Sequence, residues 1–140
     1  ASNLTKTEVY RIDNAETRLS ELCPDILPIN DKCYEICKLP PQKVIPTGNL
    51  YAEFITFQLK PWIDNNFATL SDKENTIIGG SSMGGLMSFY MLLRFPNVFG
   101  KALVFSPNFV MFEKQQILDF LSTIDYNNNF TYFIRLPSTL

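Results

Sequence analysis

One stretch constrains this chain more than any other: Thr76-Ile77-Ile78-Gly79-Gly80-Ser81-Ser82-Met83-Gly84-Gly85-Leu86. An apolar strand pattern over 76–79 runs into a glycine-flanked turn, and a helical pattern follows at once. Within it Gly80-Ser81-Ser82-Met83-Gly84 is a G-x-S-x-G, which in strand-turn-helix context places Ser82 at the tip of a nucleophile elbow. Ser81 is out of frame, because Met83 rather than glycine stands two places after it. The tip of such a turn is cramped and strained. Gly80 and Gly84 are therefore read as required by their size, and Gly85 as letting the helix lie close to the strand. The amide of Met83, first in the helix, is expected to face a developing oxyanion with the helix N-terminus behind it. One conflict stands beside this reading: a serine hydroxyl needs an adjacent base, and the chain contains no histidine.

Two other uses of a glycine-rich turn compete with the elbow. One is a plain strand-to-helix connection, and the other a phosphate cradle. A P-loop requires Gly-Lys-Ser/Thr, which is missing, and no G-x-G-x-x-G registers. No cofactor is expected.

Upstream, Glu8 to Asp13 alternates well enough to predict a strand, with Asp13-Asn14 as its turn signal. Residues 15–49 are predicted to form an irregular loop, since Pro24, Pro28, Pro40, Pro41 and Pro46 punctuate them. Asn49 is expected to cap the next helix. Tyr51, Phe54, Ile55, Leu59, Trp62 and Ile63 fall on one face of that helix, and Trp62 is assigned to the core. Pro61 is expected to bend the helix near Phe57, and Asn65-Asn66 to end it.

Residues 76–94 form the elbow strand and its helix. That helix, about Met83 to Arg94, is apolar on nearly all sides and hence buried. Phe95-Pro96 stops it. A strand follows over Lys101–Phe105. Next come an amphipathic helix over Phe112–Ile124, with Ile117, Leu118, Leu121 and Ile124 inward, a turn at Asn127-Asn128-Asn129, and a strand over Phe130–Arg135. Alternating strands and helices with apolar strands predict an α/β fold, with a mostly parallel sheet and flanking helices in three layers. The 140 residues form a single domain.

A net charge of −2 and the absence of any Lys/Arg run exclude a nucleic-acid footprint. No apolar run of about 18 residues is present, so no membrane span is expected. Cys23, Cys33 and Cys37 are an odd set, and Cys33-x3-Cys37 has no histidine or second cysteine pair to complete a zinc site. They read as reduced thiols of a cytoplasmic protein, and a secreted form with its signal removed stays open. No metal is expected.

Beyond these readings, the segment from Tyr51 to Pro107 resembles the esterase D and enterochelin esterase-like branch of the α/β-hydrolases. The matching residues are Phe54-Ile55, Leu59-Lys60-Pro61-Trp62-Ile63-Asp64, Phe67-Ala68-Thr69-Leu70, Gly80-Ser81-Ser82-Met83-Gly84-Gly85, Phe95-Pro96-Asn97-Val98-Phe99-Gly100 and Phe105-Ser106-Pro107. Upstream, Ile12-Asp13-Asn14 with Arg18, Glu21 and Pro24 is similar to a family segment that borders the substrate, with Arg11 and Leu22 as departures. The resemblance implies a serine esterase acting on a small-molecule ester, with Ser82 as nucleophile, Met83 in the oxyanion hole, and Asp13, Asn14 and Arg18 as candidates for the substrate side. It also implies early strands before Val9, and an acid and a histidine after the last strand. The chain is therefore expected to be an internal piece of a hydrolase of about 250 residues.

Bland readings stand beside these. Asp13 and Asn14 could serve only to cap a loop, Arg18 and Glu21 could form a surface ion pair, and Ser106 reads as a turn residue. A non-catalytic binding or interaction module of the same fold is the main alternative, favoured by the missing histidine, and an acyltransferase is a close variant. Exposed sheet edges and apolar faces would invite self-association into a homo-oligomer.

Overall fold

A computed structural model describes residues 7–14, 16–27, 29–30, 34–35, 38, 44–127 and 131–135. Cys33, Cys37 and the residues after Arg135 lie outside that set, as do Asn128 and Asn129 of the expected turn.

Three strands form one sheet in the order β1-β2-β3: β1 is Ile77–Ser81, β2 is Lys101–Phe105 and β3 is Thr131–Arg135. Both pairings are parallel, with Ile77 opposite Lys101 and Lys101 opposite Thr131. The α/β expectation with a parallel sheet is thus observed. Because side chains alternate along a strand, the register splits the sheet into two unlike faces. Ile78, Ala102, Val104 and Ile134 face the core. Ile77, Leu103, Phe105 and Phe133 lie on the opposite face and are 37–58% exposed.

The helices explain this split. The element after β1, α4 (Met83–Arg94), packs on β1 and β2. Its buried residues include Met83, Leu86, Met87, Met91 and Leu92, each at 2% exposure or below. A helix apolar all round must be enclosed, and α4 is. The sheet lies on one side of it. On another, Gly48 at the start of α2 (Gly48–Phe54) approaches Met87 so closely that a Cβ would stand 2.7 Å from its terminal methyl. On a third, Phe120 of α5 (Lys114–Ser122) packs its ring 5.3 Å from that of Tyr90. All the helices described here therefore gather on the α4 side, and no third layer covers the Leu103 face among the described residues.

The helix around Pro61 takes a form that proline chemistry accounts for. After α2 the backbone widens to a π-helix over Ile55–Leu59 and continues as α3 (Lys60–Asn66) without leaving helical geometry. Proline removes one amide and presses its ring on the carbonyl four residues back, here Phe57. A widened turn accommodates both, so the irregularity falls where expected. Lys60 then pairs with Asp64 at 2.6 Å, and Thr69 Oγ1 donates to the same carboxylate at 2.7 Å, which fixes the chain leaving α3.

Several local expectations are corrected. Residues 7–14 form no strand: Val9 is 85% exposed, and no strand among the described residues pairs with them. The pattern was there, but a strand exists only where a ladder partner does. Within 15–49 a short helix appears, α1 (Arg18–Glu21), packed on α2. Thr47, not Asn49, holds the N-cap position of α2. The Asn49 side chain instead accepts hydrogen bonds from the Tyr90 hydroxyl at 2.9 Å and the Asp25 amide at 3.4 Å. Trp62 is not core: it is 56% exposed and lies edge-on to Phe67. On α5, Leu118 is exposed, and Phe120 is the residue that is buried.

Candidate active site

The elbow is built by two incompatible backbone geometries meeting at one residue. β1 ends at Ser81 in extended form, and α4 begins at Met83. Ser82 between them has φ 58° and ψ −121°. A non-glycine residue with positive φ is disfavoured by Cβ–carbonyl contact and persists where surrounding structure imposes it. Here the surroundings are backbone bonds: the Ser82 amide donates to the Phe105 carbonyl at 3.0 Å, and the Ser82 carbonyl accepts from Leu86 at 3.0 Å and Asn108 at 3.3 Å.

The turn also needs space. A Cβ on Gly80 would stand 2.5 Å from the Gly84 carbonyl, and one on Gly85 would stand 2.8 Å from the Phe105 carbonyl. Both glycines are therefore required by close approach. Gly84 is not, since a Cβ there would meet nothing within 4 Å. The expectation that both flanking glycines must be small is corrected: the crowding falls on one partner only.

The result is a hydroxyl held out from the fold. Ser82 is exposed, and its side chain makes no capping bond to α4. The Met83 amide opens a twelve-residue helix, so it has no intrahelical partner. The Met83 side chain, in contrast, is buried at 1% exposure and anchors the helix start in the core. Ser81 ends β1 on the open face of the sheet and is not part of this arrangement.

Asp13, Asn14 and Arg18 lie elsewhere in their contacts. Asp13 sits in an exposed pair with Arg11 at 4.0 Å, both side chains 86% exposed. Asn14 donates to Glu21 Oε2 at 2.6 Å, and Thr17 Oγ1 donates to Oε1 at 2.7 Å. These two bonds, the Asn14 one first, hold the Glu21 carboxyl below its ordinary range. Glu21 is thus occupied by Asn14 and Thr17, and the expected Arg18–Glu21 ion pair is not formed. None of the described hydrogen bonds or ion pairs of Asp13 or Asn14 leads to Ser82.

Cys23 is fully buried, and its thiol donates to the Leu27 carbonyl at 3.2 Å. Burial, then the Asp25 charge, pushes its pKa up to about 12, which makes it an inert packing thiol. Among the described residues no three His, Cys, Asp or Glu side chains gather where they could hold a metal ion. No described helix is long and apolar enough to cross a membrane.

Missed by the sequence reading was the 105–108 turn, whose carbonyl and amide grip Ser82 from the neighbouring strand. The reading of Ser106 as a turn residue marked its place without showing that it would lie beside the elbow.

Comparison with known proteins now bears on this geometry. The model of the Putative esterase family matches residues 1–128. The chain belongs to that family. Over a 54-residue stretch it is 39% identical to an endo-1,4-beta-xylanase/feruloyl esterase of Xylanibacter ruminicola, covering 39% of this chain and 7% of that protein. A stretch of the same length is 35% identical to the uncharacterized protein YbbA of Bacillus subtilis, covering 22% of it. Among solved structures, the siderophore hydrolase EstA from Aspergillus nidulans superposes with a TM-score of 0.65 at 19% identity, over 92% of this chain and 44% of that one. That likeness establishes the α/β-hydrolase fold. The chain spans less than half the length of each of these relatives.

Proposed function

We propose that the protein is a carboxylic-ester hydrolase that works through an acyl-enzyme on Ser82. The observation that carries this is the conformation of Ser82: a strained, exposed serine at φ 58°, set where a parallel strand meets a buried helix. Family membership supports the same reaction class.

Each part has a chemical task. A base takes the Ser82 hydroxyl proton as Oγ attacks the ester carbonyl, forming a tetrahedral oxyanion. The Met83 amide supplies one donor for that oxyanion, strengthened by the positive end of α4. Collapse expels the alcohol, which takes the proton back from the base. Water then repeats the sequence on the acyl-enzyme and releases the acid. With no histidine in the 140 residues, we place the base and its carboxylate partner in segments beyond them, and expect a histidine about 100 residues after Ser82 from the usual Ser, acid, His order. Asp13, Asn14 and Arg18 remain candidates for the substrate side, and a small-molecule ester in the cytoplasm remains the proposed setting. The names of the relatives, a feruloyl esterase and a siderophore hydrolase, make aryl esters and siderophore esters the first substrates to try.

A fluorophosphonate probe on the full-length protein should label Ser82, and mass spectrometry should place the adduct there. Labelling elsewhere, or none, would sink the assignment. A non-catalytic module of the same fold is the second reading, and the missing histidine is what favours it. It predicts no adduct at Ser82. Transfer of the acyl group to another alcohol in place of water uses the same parts, and a rise in ester product with added alcohol would reveal it.

A further inference from the structure

Two of the three non-glycine residues with positive φ among the described residues sit side by side: Ser82 at 58° and Ser106 at 43°. The register makes them neighbours, since Ser81 pairs with Phe105 and each chain leaves its strand at the next residue. Positive φ is as unfavourable for serine at Ser106 as at Ser82. Its conformation has a local consequence. It turns the chain so that Asn108 comes back over the elbow, where the Asn108 amide donates to the Ser82 carbonyl at 3.3 Å.

The turn is itself held on both sides. The Ser106 amide donates to the Arg135 carbonyl of β3 at 2.6 Å. Asn108, at φ −85° and ψ 55°, is the centre of an inverse γ-turn closed by the Phe109 amide on the Pro107 carbonyl at 3.0 Å. The Asn108 side-chain amide reaches Met111 Sδ at 2.7 Å, and Met111 is buried at 1% exposure. The turn is thus tied to the third strand and to the core, while its Phe105 carbonyl and Asn108 amide grip the two backbone polar groups of Ser82.

We propose that Ser106 and Asn108 are positioning residues for the nucleophile: the left-handed Ser106 aims the Asn108 amide at the Ser82 carbonyl, and this clamp holds Ser82 in its reactive conformation. The clamp is made of backbone. The Ser106 hydroxyl takes no part in it, and no described hydrogen bond links either side chain to the Ser82 hydroxyl. The proposal rests on the reading of Ser82 as nucleophile.

The test is the rate at which a fluorophosphonate labels Ser82 in the full-length protein, with kcat and KM for an aryl ester measured alongside. Glycine and asparagine accept left-handed backbone and valine does not. Ser106→Gly and Ser106→Asn should therefore label at close to the wild-type rate. Ser106→Val should label on the order of ten times more slowly or worse, since small displacements of a reacting group are costly, with the loss in kcat and KM little changed. Asn108→Pro deletes the amide at a φ that proline can adopt, and should be similarly slow, whereas Asn108→Ala keeps the amide and should label near the wild-type rate. This pair decides the matter if Ser106→Val does not fold. A loss in Ser106→Gly as large as in Ser106→Val would assign the effect to the hydroxyl and overturn the clamp. So would a wild-type rate in Asn108→Pro. Labelled wild-type protein with an indifferent Asn108→Pro overturns the clamp alone, and unlabelled wild-type protein overturns the nucleophile reading and the clamp with it.

Discussion

A Cβ on Gly80 would stand 2.5 Å from the Gly84 backbone, while one on Gly84 would have open space around it. Gly80→Ala must therefore shift the strand or the helix, and should destabilise by on the order of 2 kcal/mol, as overpacking does. Gly84→Ala should stabilise by about 0.5–1 kcal/mol, because alanine restricts the unfolded chain and suits a helix. Denaturant melts of the two variants separate these outcomes, and a cost at Gly84 equal to that at Gly80 would contradict the geometry. Cys23 supports a second prediction at this scale. Its thiol moves from an ordinary pKa of 9.0 to about 12 in the fold, burial being the main cause. Above pH 9 the unfolded chain loses that proton while the folded one keeps it, so stability is full below about pH 9 and falls as pH rises toward 12. Cys23→Ala should flatten that alkaline fall. At pH 8, alkylation mapped by mass spectrometry should spare Cys23 until denaturant is added. The motif frame marked Gly80, Ser82 and Gly84, and the glycine after it, Gly85, was read as a close approach, because crowding at an elbow is a local matter. It could not rank Gly80 over Gly84, because that depends on which way the helix leaves.

At the level of elements, α4 was legible to its ends: Ser82 cannot be helical, Phe95-Pro96 stops the helix, and its uniform apolarity announced burial. The helix around Pro61 was legible in outline, and the tertiary structure added a detail. Thr56 lies in the π-helical turn, is 3% exposed, and its hydroxyl has no partner among the described residues. A buried unsatisfied hydroxyl costs about 1–3 kcal/mol. Thr56→Val, of nearly the same shape, should therefore raise stability by on the order of 1 kcal/mol. A thermal melt reads this directly, and a drop in Tm would show that the hydroxyl is satisfied. The expected strand at Glu8–Asp13 failed for a different reason. Alternation shows that a segment can serve as a strand, and only a neighbouring strand makes it one.

For the molecule as a whole, the decisive property is a sheet that the described residues cover on one side only. Ile77, Leu103, Phe105 and Phe133 stand 37–58% exposed on the other. An apolar face with open edges favours association. The isolated 140-residue polypeptide should therefore self-associate in sedimentation, and Leu103→Lys with Phe133→Lys should return it toward monomer without lowering Tm. Concentration-independent monomer in the unaltered chain would refute this. The same polypeptide should not turn over p-nitrophenyl acetate in a Ser82-dependent way, because it contains no histidine to act as the proposed base. The amino-acid sequence by itself determined what is local: a strand, an elbow, a buried helix and two further strands, with the serine at the turn, because propensity, proline stops and glycine spacing act within a few residues. Only the tertiary structure decided which sheet face is bare, that Trp62 stays outside, that Glu21 binds Asn14 rather than Arg18, and that the Ser106–Asn108 turn closes on Ser82. Those depend on partners brought together from distant parts of the chain.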